Sequence, residues 1–394
     1  MSTASRPAAV APAWLAQRLR AAGGAVPFRT YMDWALHDPE HGAYGSGRLQ
    51  VGPRGDFTTS PSLGPDFAAL LAPQVIQWLQ ALPATEPLAL VETGPGEGHL
   101  ALQLAEEISR HWPELAARTT LLLVEPNGGM AERQRQVLAH CPLPCRWLSV
   151  AELAAHPVTG VMLAHEVLDA LAVERIVWDG ALWRQQQVAL HEGTEAEPSL
   201  RLEPGAPLEP QALAQLDPLG LRNAGPQRPA GWTSELHPGL GPWLAGAAGG
   251  LAEGHLLVVD YAHEAWRYYG PQRSNGTLMA YRRQQASDDP LLEPGRWDLT
   301  AHLCLETLIN AAEASGWHLV GQCRQGEALL ALGLAQRLHA LQQGSGADLP
   351  DLLRRREALL RLVDPAALGE FRWIALSRST AAEAPLFLRE PPLE

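Results

Sequence analysis

Cysteine is scarce in this chain, which has four cysteines among 394 residues. So few cysteines cannot build the disulfide framework of a small secreted domain, and the sequence therefore predicts free thiols in a reducing compartment. Cys141 and Cys145 are close together, but no second pair of candidate ligands lies near them in the sequence. Because a structural metal site needs a full set of closely spaced ligands, we expect that the chain holds no metal ion.

Long hydrophobic runs are missing as well. No stretch reaches the about 18 apolar residues that suggest a membrane-spanning helix. The segment from Met1 to Gly24 lacks the apolar core of a secretory signal. This segment contains arginines and no acidic residue, a composition that resembles a transit peptide. An amphipathic first helix with Trp14 and Leu15 on its apolar face explains the same residues. We therefore expect a cytoplasmic protein without a membrane span.

Basic residues are fewer than acidic ones, because the chain has 30 lysines and arginines but 43 aspartates and glutamates, and its formal net charge is −13. A net acidic surface argues against broad binding to phosphate backbones and favours a small or cationic partner. Among the basic stretches, only "YRRQ" at 281–284 combines an aromatic residue with neighbouring arginines. A nucleic-acid partner is therefore not expected.

Three closely spaced glycines stand between an apolar run and a helical pattern in the stretch Leu88–Ile108, which reads "LALVETGPGEGHLALQLAEEI". An apolar strand is followed there by glycines at 94, 96 and 98 and then by a helical pattern. This order brings a ligand close to bare backbone and to a helix N-terminus. The dinucleotide fingerprint would place its third glycine at His99, and no Lys-Ser or Lys-Thr pair follows as it does in a P-loop.

Two carboxylates narrow the choice of ligand. Glu125 ends the second strand, 31 residues beyond Gly94, whereas a dinucleotide enzyme places its ribose carboxylate roughly 20 residues after the glycines. Glu125 can accept hydrogen bonds from both ribose hydroxyls of an adenosyl ligand. Glu92, at the end of the first strand, can meet an ammonium group but would repel a pyrophosphate. These residues predict S-adenosylmethionine as the cofactor rather than NAD.

Apolar strands alternate with helical patterns, which predicts an α/β fold with a parallel sheet. The predicted strands are Leu88–Glu92, Thr119–Glu125, Cys145–Leu148, Val161–Glu166, His255–Tyr261, a strand near Leu319, and Glu370–Leu376. The predicted helices are Ala13–Ala21, Phe67–Trp78, Leu100–Ile108, Met130–His140, Ala301–Ala314, Ala328–Leu341 and Leu352–Leu362. Asp179-Gly180 predicts a hairpin turn, and the Pro- and Gly-rich stretch from about His191 to Pro229 predicts an irregular excursion from the core.

Several stretches together resemble the MidA-like class I methyltransferases. They are "YMDWALHDPEHGAYGSG" with "GDFTTSP", "VETGPGEGHL", "LVEPN", "LAHEVLDALAVER", "LLVVDYAH", "GTLMAYRRQ", "DLTAHLCLETL" and "LVDPAALGEF". The resemblance implies a Rossmann-like methyltransferase sheet with N-terminal, inserted and C-terminal elaborations, and S-adenosylmethionine bound at the glycine loop. A mitochondrial member of that family methylates an arginine in a complex I subunit, so a protein arginine is the acceptor that the resemblance implies.

The resemblance also suggests a division of the chain. We predict N-terminal helices and the "GDFTTSP" loop as a lid (1–66), a methyltransferase core (67–332) with an insertion at about 173–235, and C-terminal helices with a late strand (333–394). The chain departs from the family pattern at Ser62, where an acid is usual, at Phe67–Leu70, which lacks a Gly-Glu pair, and at Ala328, where an aromatic residue is usual. Donor binding therefore carries over better than the identity of the acceptor.

The acceptor site is predicted in "LAHEVLDAL". Glu166 ends a buried strand at the edge where open α/β sheets bind ligands, and Asp169 shares its face if a helical turn begins there. Two carboxylates can hold the fork of a guanidinium, and one of them can accept its proton. The alternative is that Asp169 caps a helix while Glu166 meets a backbone N–H or Arg175.

The remaining candidate residues surround these acids. His165 points to the strand side opposite Glu166 and is favoured as a packed histidine, although it is kept with Asp260 and Tyr261 as a substrate-side candidate. Asp56 either closes over the methionine end of the donor or satisfies backbone donors in a turn. The predicted donor-binding residues are Glu92, Gly94, Pro95, Gly96, Gly98, Glu125, Pro126, Asp56, Phe57 and Thr58.

The sequence thus predicts an S-adenosylmethionine-dependent methyltransferase that acts on a protein or peptide nitrogen, with arginine as the favoured acceptor. Two alternatives stay open. One is a small-molecule N- or O-methyltransferase, and the other is a donor-binding assembly factor that works mainly by binding a client protein. The oligomeric state is not predicted, and a homodimer is one option.

Overall fold

The computed structural model describes residues 9–83, 87–193, 197–223, 225, 227–343, 349–379 and 383–391. These residues form an α/β protein with mixed sheets, and the chain divides into two compact units. Unit 1 comprises Met1–Leu49, Ala170–Gly239 and His263–Thr307, and unit 2 comprises Gln50–Asp169, Leu240–Ala262 and Leu308–Glu394. The predicted division at 66/67 and 332/333 is a different partition and stays a prediction.

The strands of the described residues follow in chain order. They are β1 (Ala9–Val10), β2 (Ala25–Pro27), β3 (Leu88–Thr93), β4 (Thr119–Val124), β5 (Cys145–Leu148), β6 (Val158–His165), β7 (Glu174–Trp178), β8 (Trp183–His191), β9 (Ser199–Pro207), β10 (Thr233–Leu236), β11 (Leu251–Asp260), β12 (Ala262–His263), β13 (Met279–Arg282), β14 (Gln285–Ser287), β15 (Asp298–Thr300), β16 (Leu303–Cys304), β17 (His318–Arg324) and β18 (Arg372–Ser377).

The α-helices of the same residues are α1 (Ala13–Ala21), α2 (Phe28–His37), α3 (Asp66–Ala81), α4 (His99–His111), α5 (Pro113–Ala116), α6 (Gly128–Val137), α7 (Val150–Ala155), α8 (Pro210–Ala214), α9 (Leu240–Gly250), α10 (Ala265–Tyr268), α11 (Leu305–Ala314), α12 (Gln325–Ala331), α13 (Leu334–Gln343) and α14 (Leu349–Val363). Within the described part of the chain, no helix has the length and apolar character needed to cross a membrane. The same residues contain no cluster of His, Cys, Asp or Glu side chains arranged to hold a metal ion.

Unit 2 contains a seven-stranded sheet with the order β17-β18-β11-β6-β3-β4-β5. The strands from β11 to β5 pair in parallel, whereas β18 runs antiparallel to both of its neighbours. From β3 the chain moves outward through β4 and β5 and then returns to β6 on the other side of β3. The carboxyl ends of β3 and β6 therefore lie side by side, at the point where open α/β sheets bind ligands.

The core of unit 2 is built on the apolar face of α3. Phe67, Leu71, Val75 and Trp78 recur at helical spacing, and all four side chains are buried. They join one hydrophobic cluster with residues of α4, the parallel strands, α12, α14 and β18. This packing fixes the sheet that carries the carboxyl-edge loops.

Unit 1 contains an antiparallel sheet with the order β1-β9-β8-β7-β10, and β2 pairs with β8. The hairpin predicted at Asp179-Gly180 is confirmed, because Trp178 pairs with Trp183 across it. The Asp179 carboxylate accepts hydrogen bonds from the backbone N–H groups of Ala181 and Leu182. A separate three-stranded sheet of unit 1 has the order β14-β13-β15.

The irregular excursion predicted from His191 to Pro229 is wrong for much of its length. Ser199–Pro207 is a strand that pairs with β8, and Pro210–Ala214 is a short helix. Among the described residues, β1 pairs with the first two residues of β9, Ser199 and Leu200, and the prolines of β9 lie beyond this paired stretch. Residues 194–196, 224 and 226 of the excursion lie outside the described residues.

Two predicted helices have different bounds in the structure. The helix predicted over Ala328–Leu341 is two helices, α12 and α13, separated at Gly333, whose φ of 95° ends a helix in the left-handed region. The helix predicted from Ala301 begins at Leu305, because β16 precedes it.

Candidate functional site

The glycine loop of unit 2 has the conformation that its sequence suggests. It runs from the end of β3 to the start of α4, and Gly94, Gly96 and Gly98 have φ values of 58°, 55° and 86°. At Gly94 a Cβ atom would lie 2.9 Å from a methyl group of Val167. A side chain at Gly94 would therefore meet both backbone strain and a steric clash.

Glu92 is buried at the end of β3, with 4% of its surface exposed. Its carboxylate accepts a hydrogen bond from the backbone N–H of Ala101 in the first turn of α4. Its Oε2 atom has no hydrogen-bond partner among the described residues. Burial raises the pKa of Glu92 to about 8, so a nearby cation would favour the ionised form.

Glu125 follows β4, and its carboxylate is held by three hydrogen bonds. Oε1 accepts from the backbone N–H and the side-chain Nδ2 of Asn127, at 2.8 and 3.0 Å. Oε2 accepts from Nε2 of Gln134 at 2.9 Å. Burial raises the pKa of Glu125, whereas these donors and the charge of Arg133 oppose the rise.

Gln134 is a site residue that sequence reasoning missed. It lies on α6 and is fully buried, and it bridges Glu125 to the carbonyl oxygen of Gly96. The helix carries similar polar residues at Gln134 and Gln136, and the local sequence does not tell them apart. The contacts with Gly96, Glu125 and Trp147 distinguish Gln134.

The loop that contains "GDFTTSP" contacts the glycine loop through Glu97. Glu97 accepts a hydrogen bond from the backbone N–H of Val51 at 3.3 Å, and Arg133 Nε lies 3.4 Å from its other oxygen. Asp56 accepts from the backbone N–H of Gln50 at 3.0 Å and donates its own backbone N–H to the Gln50 carbonyl. These contacts fit the turn interpretation of Asp56.

Other predicted donor-binding residues lie on the same loops. Phe57 forms a backbone bridge with Val51, and the Pro95 carbonyl accepts from the Gly98 N–H at 2.7 Å. The donor-binding roles of Asp56, Phe57, Thr58, Pro95 and Pro126 stay predictions.

The acidic loop after β6 differs from its predicted shape. The strand ends at His165, and residues 166–169 form bends and a turn instead of the helical turn that would align the two acids. Glu166 has a φ of 53°, which is rare for a residue with a side chain. Glu166 and Asp169 therefore share a loop rather than a helix face, and Asp169 does not cap a helix.

Asp260 explains how this loop is held. It lies at the end of β11 and is fully buried. Its Oδ2 accepts from the backbone N–H groups of Leu168 and Asp169, at 2.9 and 3.3 Å, and its Oδ1 accepts from the Tyr261 N–H. Burial raises the pKa of Asp260 to about 7, and the N–H donors oppose that rise. The predicted substrate-side acid thus supports the loop backbone.

His165 is a packed residue, as the favoured interpretation had it. Its ring packs against Phe67 and Phe371, with centroids 5.3 and 6.1 Å away, and burial lowers its pKa to about 3. The expectation that it points away from Glu166 is wrong, because His165 Nδ1 lies 3.4 Å from Glu166 Oε1. Strand alternation ends at His165, and the left-handed backbone of Glu166 turns its side chain back.

Tyr261 and Arg175 contact residues other than Glu166 and Asp169. Tyr261 packs on Phe371 with ring centroids 4.0 Å apart. Arg175, the alternative partner of Glu166, donates to the carbonyl and side-chain oxygens of Asn275 and lies 3.7 Å from Glu235 in unit 1. A substrate-binding role for His165, Asp260 and Tyr261 stays a prediction.

Comparison with known proteins places these features in a family. A family model of S-adenosyl-L-methionine-dependent methyltransferases matches residues 70–323. The chain is 27% identical over 388 residues to the mitochondrial protein arginine methyltransferase NDUFAF7 homolog of Drosophila melanogaster, covering 92% of this chain and 84% of that protein. It is also 25% identical over 381 residues to the mitochondrial protein arginine methyltransferase NDUFAF7 of Mus musculus. This match covers 90% of this chain and 81% of that protein.

Two solved structures from Burkholderia thailandensis are similar over almost the whole chain. One, crystallised with S-adenosyl-homocysteine, superposes with a TM-score of 0.83 and 29% identity, covering 97% of this chain and 95% of that one. The other superposes with a TM-score of 0.79 and 28% identity over the same shares.

Proposed function

The chain belongs to the family of S-adenosyl-L-methionine-dependent methyltransferases, and we propose that its methyl acceptor is an arginine side chain of a protein. The observation that carries the proposal is the loop with Glu166 and Asp169, which lies at the carboxyl end of β6 beside the glycine loop. Val167 of this loop packs directly on Gly94. The loop that carries the two acids therefore lies next to the predicted donor-binding residue Gly94.

The residues of unit 2 fit S-adenosylmethionine, which supplies an electrophilic methyl group on a sulfonium. The glycine loop offers bare backbone at a helix N-terminus. The unpartnered, buried Oε2 of Glu92 suits an ammonium group, and the Glu125 carboxylate suits a ribose hydroxyl. Neither acid suits a pyrophosphate.

The order of the unit 2 sheet supports a Rossmann-like layout. From β3 at the centre, β4 and β5 follow towards one edge of the sheet, and β6 and β11 follow towards the other edge. This reversal of direction is the pattern of doubly wound sheets. We assign the antiparallel β18 and its neighbour β17 as an elaboration of that layout at one edge.

The acidic loop suits a guanidinium acceptor. Arginine presents a planar fork of N–H donors with a very high pKa, so a pair of carboxylates can hold and orient it. In this assignment Glu166 and Asp169 bind the guanidinium, and one of them accepts the proton that leaves the nitrogen. Asp260 keeps the loop in place through its backbone N–H groups.

The names of the relatives support a protein acceptor. Relatives that are 24–27% identical are named protein arginine methyltransferases, so the partner we propose is a protein or peptide that carries an arginine. The same names say mitochondrial, whereas we keep the cytoplasm as the proposed location of this chain. Fractionation of cells of the source organism, with detection of the untagged protein, decides between the two locations.

The test is methyl transfer from tritiated S-adenosylmethionine to lysate from a strain that lacks this gene. Wild-type protein is compared with Glu166→Gln/Asp169→Asn and with a control in which two surface acids are changed, Glu132→Gln/Asp351→Asn. We expect label in a discrete protein band that hydrolyses to methylated arginine. Loss of the two loop acids should lower the rate about 100-fold or more, with S-adenosylhomocysteine affinity retained.

Other outcomes contradict the proposal in different ways. Label that appears only in small molecules would favour a small-molecule acceptor. Donor binding without any label would favour the assembly factor. Full activity of Glu166→Gln/Asp169→Asn would remove the loop acids from the chemistry while leaving donor binding intact.

A further inference from the structure

We propose that Gln134 is a positioning residue that determines how the Glu125 carboxylate receives the ribose of the donor. This inference rests on the proposed function, since it takes Glu125 as the residue that meets the ribose. It goes further in assigning a role to Gln134 and in limiting how many ribose hydroxyls Glu125 binds.

The contacts of Gln134 settle the orientation of its side-chain amide. Its oxygen accepts from the indole Nε1 of Trp147 at 3.1 Å, and an indole nitrogen can only donate. Its Nε2 donates to the Gly96 carbonyl and to Glu125 Oε2, both at 2.9 Å. Every polar atom of the amide is therefore engaged, and one side chain joins β5, the glycine loop and the end of β4.

The packing beneath the glycine loop supports the same role. A Cβ atom at Gly98 would lie 3.6 Å from Cγ of Gln134, so the side chain of Gln134 lies directly against the start of α4. A change at Gln134 therefore reaches the glycine loop and Glu125 together. Packing alone would not need an amide at this position.

The acceptor positions of Glu125 limit its contacts with a ribose. A carboxylate has about four lone-pair positions. Two donors of Asn127 use those of Oε1, and Gln134 uses one on Oε2. One position on Oε2 remains for a ribose hydroxyl. Glu125 can receive a second hydroxyl only if the Asn127 side chain leaves Oε1, which revises the expectation that it binds both.

Charge around Glu125 adds a measurable consequence. Burial raises its pKa, and the donors of Asn127 and Gln134 together with the charge of Arg133 hold the rise back. Arg133 is shared with Glu97, 3.4 Å away. Loss of the Gln134 donor should raise the pKa of Glu125 further. The ionised carboxylate is the form that accepts the hydroxyl. As the pH is lowered, the variant should therefore begin to lose affinity for the ribose at a higher pH than the wild type does.

The experiment measures dissociation constants by calorimetry between pH 5.5 and 8. The ligands are S-adenosylhomocysteine, its 2′-deoxy and 3′-deoxy forms, and an analogue without either hydroxyl. The variant is Gln134→Met, which keeps the volume and removes the hydrogen bonds. The matched control is Gln74→Met, because Gln74 is another fully buried helical glutamine with side-chain hydrogen bonds, located on α3. Melting temperatures report the structural effect of both changes.

We expect Gln134→Met to weaken S-adenosylhomocysteine binding about tenfold or more and to shift the acid limb of the affinity profile to higher pH. The analogue without hydroxyls should lose less affinity on this change than S-adenosylhomocysteine does, because it keeps only the contacts with the glycine loop. In the wild type, one monodeoxy form should lose about tenfold in affinity and the other much less. Gln74→Met should lower the melting temperature without changing the affinity.

The inference is overturned if Gln134→Met binds S-adenosylhomocysteine within about twofold of the wild type, or loses the same factor for all ligands with an unmoved pH profile. If Gln134→Met does not fold, Gln134→Glu keeps an acceptor for Trp147 and removes the donors to Gly96 and Glu125, and an unchanged affinity and pH profile there overturns the inference as well. A wild type that fails to bind S-adenosylhomocysteine would instead contradict the proposed function.

Discussion

At the scale of single residues, backbone strain marks the candidate site. Glu166 adopts a left-handed φ although it has a side chain, a conformation that costs of order 1–3 kcal/mol and persists when the surroundings enforce it. The enforcing contacts are visible, since Asp260 accepts from the N–H groups just beyond Glu166 and Val167 packs on Gly94. Strain at this position is consistent with a residue placed for chemistry.

Gly94→Ala should damage the donor site and the fold together. The new methyl group would lie 2.9 Å from Val167 at a φ of 58°, so we expect the free energy of unfolding to fall by about 1–3 kcal/mol. S-adenosylhomocysteine affinity should decline by more than stability alone explains. Chemical denaturation and calorimetry measure the two effects.

Gly128→Ala is the control for Gly94→Ala. Gly128 begins α6, and a Cβ atom there meets nothing within 4 Å. The change should leave stability unchanged or raise it by about 0.5–1 kcal/mol. Equal losses in the two alanine variants would show that Gly94 has no special steric role.

Glu92 should make the ligand-free protein less stable as pH rises. Its pKa is about 8 in the folded protein against an ordinary value of 4.5, so the folded state binds more protons between these values, and stability falls as pH rises through that window. Glu92→Gln should remove this dependence. We expect the variant to be the more stable protein at pH 8.5, by at least about 1 kcal/mol, and to gain little at pH 4.5.

Urea unfolding of both proteins at the two pH values tests this prediction. S-adenosylhomocysteine should reduce the difference by favouring ionised Glu92, while binding more weakly to Glu92→Gln. If the free energy of unfolding of the wild type equals that of Glu92→Gln at both pH values, Glu92 is not the group that titrates.

At the scale of elements, most boundaries follow local signals, and the exceptions have local causes. Phe67–Trp78 was predicted as helical and lies within α3, because its apolar residues recur at helical spacing. The Ala328–Leu341 prediction missed Gly333, and β9 was missed because prolines hid its alternation. In both cases, glycine or proline residues outweighed the average pattern.

A change of sequence in the turn between β13 and β14 should stabilise the protein. Arg283 and Gln284 connect the paired residues Arg282 and Gln285 with φ values of 50° and 61°. A two-residue turn with both φ values positive prefers Asn-Gly. Arg283→Asn/Gln284→Gly should raise the free energy of unfolding by about 1 kcal/mol, because the left-handed conformation then costs less.

Thermal and urea unfolding give the size of that gain. The converse control is Gly180→Ala in the β7–β8 hairpin, where φ is 103°, and it should destabilise by a similar amount. A loss of stability in the Asn-Gly variant would show that contacts of the original side chains outweigh the backbone term.

At the scale of the whole molecule, the chain consists of two units, each formed from three separate segments. Ion pairs between distant segments contribute to unit 2. The buried Asp66 on α3 accepts hydrogen bonds from Arg337 on α13 and Arg355 on α14. The three consecutive arginines Arg354–Arg356 have the pattern of a solvated helix face, yet Arg355 contacts Asp66, because helix packing brings it to an acid 289 positions away.

The sequence by itself determined the local parts of this protein. Strand, glycines and helix follow one another within Leu88–Ile108, so periodicity and glycine spacing predict the donor loop with its acids Glu92 and Glu125. The fold class follows from the same alternation of apolar strands and helices.

Only the tertiary structure decided which polar residues serve these parts. Gln134 acts through Gly96 and Trp147, and Asp260 acts on backbone groups more than 90 positions earlier. Hydrogen bonds depend on distances of a few tenths of an ångström between segments that the sequence separates. A local pattern contains no information on such distances, so these roles emerge only when β3, β4, β6 and β11 align in one sheet.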